Sequence, residues 1–258
     1  MSMKDFSLDY FKLTGQTAIV TGGNSGLGQA YAVALAKAGA DLFIAARGAN
    51  WEETRSLIEE TGRKVHFFQA DLSERKSVKQ IVDECMKVYG KIDILVNNAG
   101  TIRRAPLLEY TEEDWNAVMD VNLNSVYFLS QEAAKVMAGQ KRGKIINIGS
   151  MLSFQGGKFI PPYTASKHGV AGLTKAFANE LGAHNIQINA IAPGYVETAN
   201  TAPIRADEQR NAEIISRIPA GRWASTSDLM GAVVFLASRA SDYMNGHVLA
   251  VDGGWLAR

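Results

Sequence analysis

Thr17-Ala18-Ile19-Val20-Thr21-Gly22-Gly23-Asn24-Ser25-Gly26-Leu27-Gly28 is an apolar run that breaks into a glycine-rich turn, and a helix-period segment follows from about Gln29 to Ala38. Glycines let such a turn close tightly and let a pyrophosphate approach the backbone. The N-terminus of the following helix offers unpaired N–H groups and the positive end of its dipole. A glycine cluster by itself also serves ordinary packing. Placed at the first turn of an alternating α/β chain, it points to nucleotide binding.

That alternation continues along the chain. Further apolar runs at Leu42–Ala46, Lys64–Gln69, Ile92–Asn97, Lys144–Ile148, Ile186–Ile191 and His247–Val251 are candidate strands. Most are continuously apolar, as strands of a sheet buried on both faces must be. Helix-period stretches lie between them. In one, Val78, Ile81, Val82, Cys85 and Val88 recur at steps of three and four and mark a buried face. Cys85 is therefore read as core filler rather than as a nucleophile. Repeated strand–helix alternation predicts an α/β fold, a doubly wound parallel sheet with helices on both faces. No repeat, low-complexity tract or linker divides the chain, so residues 1–258 are read as one domain. In such a sheet, ligands bind beyond the carboxyl ends of the strands, where strand order reverses.

Composition excludes several classes. The 258 residues carry 27 Lys+Arg against 26 Asp+Glu, a formal net charge of +1, which argues against a nucleic-acid or polybasic membrane surface. A single Cys rules out an intrachain disulfide. Lys4, Asp5 and Asp9 leave the first ten residues without an apolar core, so no signal peptide is expected. The apolar stretch 30–46 is broken by Lys37 and Asp41 and cannot span a bilayer. The expectation is a cytoplasmic protein with no membrane and no nucleic-acid partner. His66, His168, His184 and His247 lack metal-ligand spacing, and no metal is expected. Thr111 with Asp114 reads as a helix start, and Trp51, Trp115 and Trp223 as packing residues.

The spacing Gly22-x3-Gly26-x-Gly28 differs from the G-x-G-x-x-G fingerprint, which also expects an acid to hold the adenosine ribose diol. The second strand ends in Ala46-Arg47-Gly48 with no carboxylate, and Asp41 lies at its wrong end. Arg47 either pairs with a 2′-phosphate, which makes NADP(H) admissible, or is a solvated loop residue.

Tyr163-Thr164-Ala165-Ser166-Lys167 places Tyr and Lys on one helix face. A phenol is a poor base at neutral pH, and a nearby ammonium lowers its pKa. Ser150 follows the fifth run, where its hydroxyl can hold a carbonyl or alkoxide oxygen beside Tyr163. Asn97-Asn98-Ala99-Gly100 ends the fourth, where small residues let a coenzyme lie close. Asn122 is read as opening a helix after Asp120-Val121.

Thr21–Gly28, Asn97–Gly100, Asn122, Ser150, Tyr163 with Lys167, and Pro193-Gly194 resemble, in order and over the whole chain, the short-chain dehydrogenase/reductase family. The resemblance implies a Rossmann fold, NAD(P)-dependent oxidoreduction of an alcohol or carbonyl, and a homotetramer. It implies that Tyr163 is the acid/base and that Ser150 orients the reacting oxygen. Lys167 lowers the Tyr163 pKa and holds the nicotinamide ribose, and Asn122 positions a water in the proton relay. The implied coenzyme contacts are Gly22, Asn24, Ser25, Gly26, Leu27, Gly28, Arg47, Asp71, Leu72, Asn98, Ala99, Gly100, Tyr163, Lys167, Pro193, Gly194, Val196 and Thr198, with Asp71 at the adenine and Thr198 at the carboxamide.

A narrower resemblance, to sugar-acid dehydrogenases of this family active in uronic acid breakdown, is carried by Ile102-Arg103-Arg104, Ser150–Gly157, Arg205–Arg210, Ile218–Trp223 and Val251–Arg258. It implies NAD(H) as the favoured coenzyme and a small sugar acid as substrate. The implied substrate contacts are Arg103, Arg104, Ser150, Gln155 and Tyr163. Arg103 or Arg104 is expected to recognise the carboxylate; otherwise they are solvated or serve a neighbouring subunit. Epimerases and dehydratases with the same Tyr–Lys pair usually carry a sizeable C-terminal substrate domain, and only 65 residues follow Pro193. A non-catalytic nucleotide sensor would be favoured by loss of Ser150, Tyr163 or Lys167, and all three are present.

Overall fold

The seven apolar runs pair edge to edge in a computed structural model that describes residues 7–258. The strands are β1 (Thr17–Thr21), β2 (Asp41–Ala46), β3 (Val65–Gln69), β4 (Ile94–Asn97), β5 (Gly143–Ile148), β6 (Ile186–Pro193) and β7 (Val248–Val251). All pairings are parallel, in the order β3-β2-β1-β4-β5-β6-β7. The helices are α1 (Gly26–Lys37), α2 (Glu52–Glu59), α3 (Arg75–Tyr89), α4 (Glu112–Met119), α5 (Ser125–Gln140), α6 (Pro161–Leu181), α7 (Ala202–Ala206), α8 (Glu208–Arg217) and α9 (Met230–Ala237). This is the Rossmann-type α/β sheet that the alternation predicts. Strand order reverses between β1 and β4, so the crevice for a ligand opens beyond their carboxyl ends.

Side chains alternate across each strand, and the two faces bury separate cores. Val20, Ile44 and Val96 pack with Tyr31 and Leu35 of α1 and with Val233 and Leu236 of α9. On the opposite face, Ile19, Phe43 and Leu95 pack with Val78, Ile81 and Cys85 of α3 and with Leu129 and Ala133 of α5. Each fully buried aliphatic contributes about 1.5–3 kcal/mol, which explains why both faces of a central strand must be apolar. Cys85 is core filler, its thiol pushed up to about 12 by burial. Double burial fails at the edges. β3 and β7 are mostly half-buried because each has only one neighbour, a position that apolarity along the chain does not encode.

Two boundaries and one packing expectation differ from the structure. Helix α1 begins inside the glycine turn, at Gly26, because Ser25 takes up extended backbone and acts as its N-cap. Asn122 opens no helix: it sits in a π-turn, Asp120–Asn124, that joins α4 to α5 in one continuous run. The Ser125 N–H reaches back five residues to the Asp120 carbonyl there, an irregularity that residue periodicity cannot reveal. Trp115 is 42% exposed and belongs to no core cluster among the described residues, whereas Trp223 is buried. Thr111 does cap α4, accepting the Asp114 N–H at 3.0 Å. Among the described residues, no helix is long and apolar enough to cross a membrane.

Candidate active site

The glycine turn forms a cradle at the end of β1. Gly22 and Gly26 have φ of +65° and +54°, a region that L side chains rarely adopt. A Cβ on Gly28 would lie 2.1 Å from the Gly22 carbonyl oxygen, so only glycine lets α1 start so close to the turn. Ser25 makes no side-chain cap bond, which leaves the first-turn N–H groups of α1 free for an anion. Leu27 is partly buried and packs against the core.

The loop after β4 closes over this turn. Thr21 Oγ1 accepts the Asn98 and Ala99 N–H groups at 3.0 Å each, and Asn98 Nδ2 donates to the Thr21 carbonyl at 2.9 Å. Asn98 therefore holds the cradle together with its side chain. Thr198, beyond β6, approaches from the far side: a Cβ on Gly26 would meet its Cγ2 at 3.9 Å. Gly194 is required by packing, since a Cβ there would come within 2.6 Å of Asp252 Cα. Pro193 ends β6, and the buried Val196 bridges to Ala224. The crevice so formed, walled by glycine backbone and closed by a helix N-terminus, fits a dinucleotide.

At the end of β2, Ala46 is buried and Arg47 is exposed, with its carbonyl held by Gln69 Nε2 at 3.0 Å. Asn24 Nδ2 donates to Asn50 Oδ1 at 2.9 Å, fixing the glycine turn against this loop. The Ser73 hydroxyl and N–H hold the Asp71 carboxyl below its usual range, with the Arg47 guanidinium adding to them. Leu72, beside Asp71, packs against the core beneath α3. Arg47 is thus an exposed cation near Asp71 at the end of β2, with no carboxylate at residue 46.

Ser150, Tyr163 and Lys167 converge beyond β5. Pro161 and Pro162 start α6, which suits the first helical turn and puts Tyr163 one turn before Lys167. Ser150 is set by a capping box, with Leu152 N–H donating to its hydroxyl at 3.2 Å and its own N–H donating to Ser153 Oγ at 3.3 Å. Burial pushes the Tyr163 phenol above its ordinary pKa, while the Ser150 hydroxyl beside it and the Arg104 guanidinium pull it back down. Lys167 Nζ lies 5.4 Å from the Tyr163 ring centroid and donates to the Ile148 carbonyl at 2.7 Å. The groups that pull the phenol down in the protein alone are thus Ser150 and Arg104. Lys167 is itself pulled down to about 8 by burial.

This gives a pH dependence of stability. The folded pKa of Lys167 lies below its unfolded value near 10.5, so the unfolded chain binds more protons between pH 8 and 10.5 and stability rises with pH across that window. Below pH 8 the buried charge is fully destabilising. Lys167→Met is expected to be more stable than the wild type at pH 7, by about 1–3 kcal/mol. That margin should shrink toward pH 10, as read from Tm in thermal scans. A margin independent of pH would show that Lys167 is not buried as a cation.

Asn122 has its amide fully engaged. Its Oδ1 accepts the Thr101 N–H at 2.8 Å, and its Nδ2 donates to the Thr101 carbonyl at 2.9 Å and to Ser166 Oγ at 3.3 Å. Ser166 in turn donates to the Tyr163 carbonyl at 2.7 Å. The side chain therefore pins the loop after β4 to α6. Gly100 lies beside it, 3.4 Å from Asn122 Oδ1 for a Cβ placed there.

The structure gives the two arginines different surroundings. Arg103 Nε lies 3.6 Å from Asp114 Oδ1 and is drawn to α4. Arg104 has no ion pair or hydrogen bond among the described residues, and its guanidinium acts on the Tyr163 phenol. Gln155 is half-buried in the loop before α6, with its N–H bonded to the Met151 carbonyl at 3.2 Å.

A second layer of buried polar groups escaped sequence reasoning. Asn97 Nδ2 donates to Ser130 Oγ at 2.9 Å and to Asn147 Oδ1 at 2.8 Å, and Asn147 Nδ2 donates to Thr174 Oγ1 at 3.0 Å. This chain fixes β4 and β5 to α5 and α6 beneath the site. Ser153 Oγ donates to the Lys167 carbonyl at 2.8 Å and so ties α6 to the Ser150 turn. Polar residues at the ends of otherwise apolar strands are the only trace these groups leave in the sequence.

Known proteins share this arrangement. A family model described as enoyl-(acyl carrier protein) reductase matches residues 21–256. A 2-dehydro-3-deoxy-D-gluconate 5-dehydrogenase of Bacillus subtilis (strain 168) is 55% identical over 97% of this chain and 98% of its own. A crystal structure of a protein described as a 2-deoxy-D-gluconate 3-dehydrogenase, from Agrobacterium tumefaciens with bound NADP, superposes with a TM-score of 0.91 at 52% identity, covering 96% of this chain and 99% of that one. A gluconate 5-dehydrogenase from Burkholderia cenocepacia J2315, in complex with NADP and tartrate, gives a TM-score of 0.94 at 39% identity, covering 98% of this chain and 100% of that one.

Proposed function

Because this chain belongs to the short-chain dehydrogenase/reductase family and is an NAD(P)-dependent dehydrogenase acting on a CH–OH group, we propose that its substrate is 2-keto-3-deoxy-D-gluconate, interconverted with the 2,5-diketo acid. The observation that carries this reading is the Arg104 guanidinium, without an ion pair among the described residues and close enough to act on the Tyr163 phenol, which suits an anionic substrate held in the same crevice as the reacting oxygen. The name of the 55% identical relative supports the same acid.

The coenzyme, when bound, supplies or accepts the hydride at the reacting carbon. Gly22, Ser25, Gly26 and Gly28 hold its pyrophosphate at the start of α1, while Asn98, Ala99, Gly100, Pro193, Gly194, Val196 and Thr198 wall its nicotinamide half. Asp71 and Leu72 lie at the adenine, and Lys167 holds the nicotinamide ribose. The Ser150 hydroxyl donates to the reacting oxygen and orients it. Tyr163 Oη gives its proton to that oxygen on reduction and takes it back on oxidation. Asn122 positions the proton relay by clamping Thr101. NAD(H) is the favoured coenzyme, and NADP(H) is accepted through Arg47. The active species is a cytoplasmic homotetramer, for which the exposed Leu107, Leu108 and Trp115 supply apolar contact area.

Absorbance at 340 nm tests the substrate, with NAD+ or NADP+ and either 2-keto-3-deoxy-D-gluconate or D-gluconate. The first acid is expected to give the higher kcat/KM. Preference for D-gluconate would favour gluconate 5-dehydrogenase activity, the function named for the relative that binds NADP and tartrate.

Arg104→Ala is expected to lower kcat/KM for the sugar acid by about 10- to 100-fold, the loss of a hydrogen bond to a charged group. Arg103→Ala, whose side chain is drawn to Asp114, should change it less than about threefold. Equal losses in the two variants would show that the pair holds the loop and does not read the acid.

A further inference from the structure

The segment that carries Arg104 is pinned on alternate residues. Thr101 is clamped through both its N–H and its carbonyl by Asn122, and the Arg103 side chain is drawn to Asp114. The Ala105 N–H donates to the Phe159 carbonyl at 3.2 Å. Between these anchors, the Tyr110 hydroxyl shares its single proton between the Arg103 carbonyl and the Phe159 carbonyl, the latter at 3.1 Å. Tyr110 directly precedes Thr111, the N-cap of α4, so its own backbone is anchored to a helix start.

Phe159 is the second half of this clasp. It has a φ of +64°, a conformation that a bulky side chain adopts only when its surroundings impose it. Its ring is exposed, so apolar packing does not impose it. What the conformation achieves is to present one carbonyl to two donors, Tyr110 and Ala105, both on the loop after β4. The loop that follows Ser150 and leads into Tyr163 is thereby fastened to the loop that carries Arg104.

We propose that Tyr110 is a positioning residue for substrate recognition: its hydroxyl fastens the two loops and so holds in place the segment that presents the Arg104 guanidinium to a sugar-acid carboxylate. Tyr110 touches neither substrate nor coenzyme and acts only through Arg104. The inference rests on the reading of Arg104 given above. A guanidinium on a loop free to move would still attract the carboxylate but would lose the alignment that makes the bond directional.

The test is a cycle of Tyr110→Phe, Arg104→Ala and the double variant, assayed on 2-keto-3-deoxy-D-gluconate, with NADPH affinity measured by fluorescence titration. Tyr110→Phe removes only the hydroxyl and keeps the ring. It is expected to lower kcat/KM about fivefold, chiefly through KM, with NADPH affinity unchanged. In the Arg104→Ala background the same change should have no further effect, because nothing remains to be positioned. An additive loss in the double variant, or a fall in NADPH affinity matching the fall in kcat/KM, overturns the proposal and makes Tyr110 a structural residue. If Arg104→Ala itself leaves the KM for the acid unchanged, the reading of Arg104 fails, and the proposal fails with it. If Arg104→Ala raises that KM and Tyr110→Phe does not, only the proposal for Tyr110 falls.

Discussion

Tyr163→Phe is expected to lower kcat by about 10²- to 10⁴-fold, the range for loss of a positioned general acid or base. The phenol is half-buried, and burial holds its proton more firmly than water would, so it is poised as an acid toward an oxygen that becomes negative. Ser150 and Arg104 oppose that burial and bring the group back toward the working pH. Phenylalanine keeps the ring that packs at the start of α6 and removes only the hydroxyl. Affinity for NADPH, read by fluorescence, should therefore stay within about twofold, and Tm should change little. A variant that kept a tenth or more of wild-type kcat would transfer the acid/base role to another group. Ser150 would then be the first to test, since its hydroxyl lies beside the same phenol.

The second large effect is expected at the coenzyme. Ala46→Asp should lower kcat/KM for NADP(H) by at least about 30-fold, with no loss for NAD(H). The new carboxylate would end β2 within reach of the adenosine ribose, where it accepts from the diol of one coenzyme and repels the 2′-phosphate of the other. Two like charges a few ångströms apart repel by about 2–4 kcal/mol at the effective dielectric near a protein surface. Arg47 remains nearby and offsets part of this, which is why the lower end of the range is the safer expectation. Ala46 is buried in the native protein, so the variant should also melt earlier, and the NAD(H) rate is the control that separates repulsion from misfolding. Complete rejection of NADP(H) by the wild type would overturn the argument from the missing acid.

Much of this site is legible without coordinates because its parts are local. A glycine turn between a strand and a helix, a Tyr and a Lys one turn apart, and small residues after an apolar run are all set by chain neighbours. The same local logic explains where reading fails. Asn122 looked like a helix start because polar residues commonly sit there, yet it occupies a π-turn whose amide clamps Thr101, 21 residues away. Spacing points to Lys167 as the group that lowers the Tyr163 pKa; in the protein alone Ser150 and Arg104 do so, while Lys167 Nζ donates to the Ile148 carbonyl on β5 and its own pKa is pulled down to about 8 by burial. Both outcomes depend on groups brought in by other strands.

By itself, then, the amino-acid sequence determined the order of strands and helices, the parallel sheet buried on both faces, the nucleotide turn at Gly22–Gly28 and the Ser150–Tyr163–Lys167 set. The first three follow from periodicity and turn chemistry within a few residues, and the last from a Tyr and a Lys one turn apart together with the resemblance to the family. Only the tertiary structure decided which of two adjacent arginines is drawn into an ion pair. Arg103 and Arg104 are chemically identical neighbours, and what separates them is that Asp114 lies within reach of the first, while Tyr163 lies near the second. Only the tertiary structure, too, joined Asn97, Ser130, Asn147 and Thr174 into one buried chain. A hydrogen bond requires two groups within about 3 Å, and folding alone brings together groups that the chain holds dozens of residues apart.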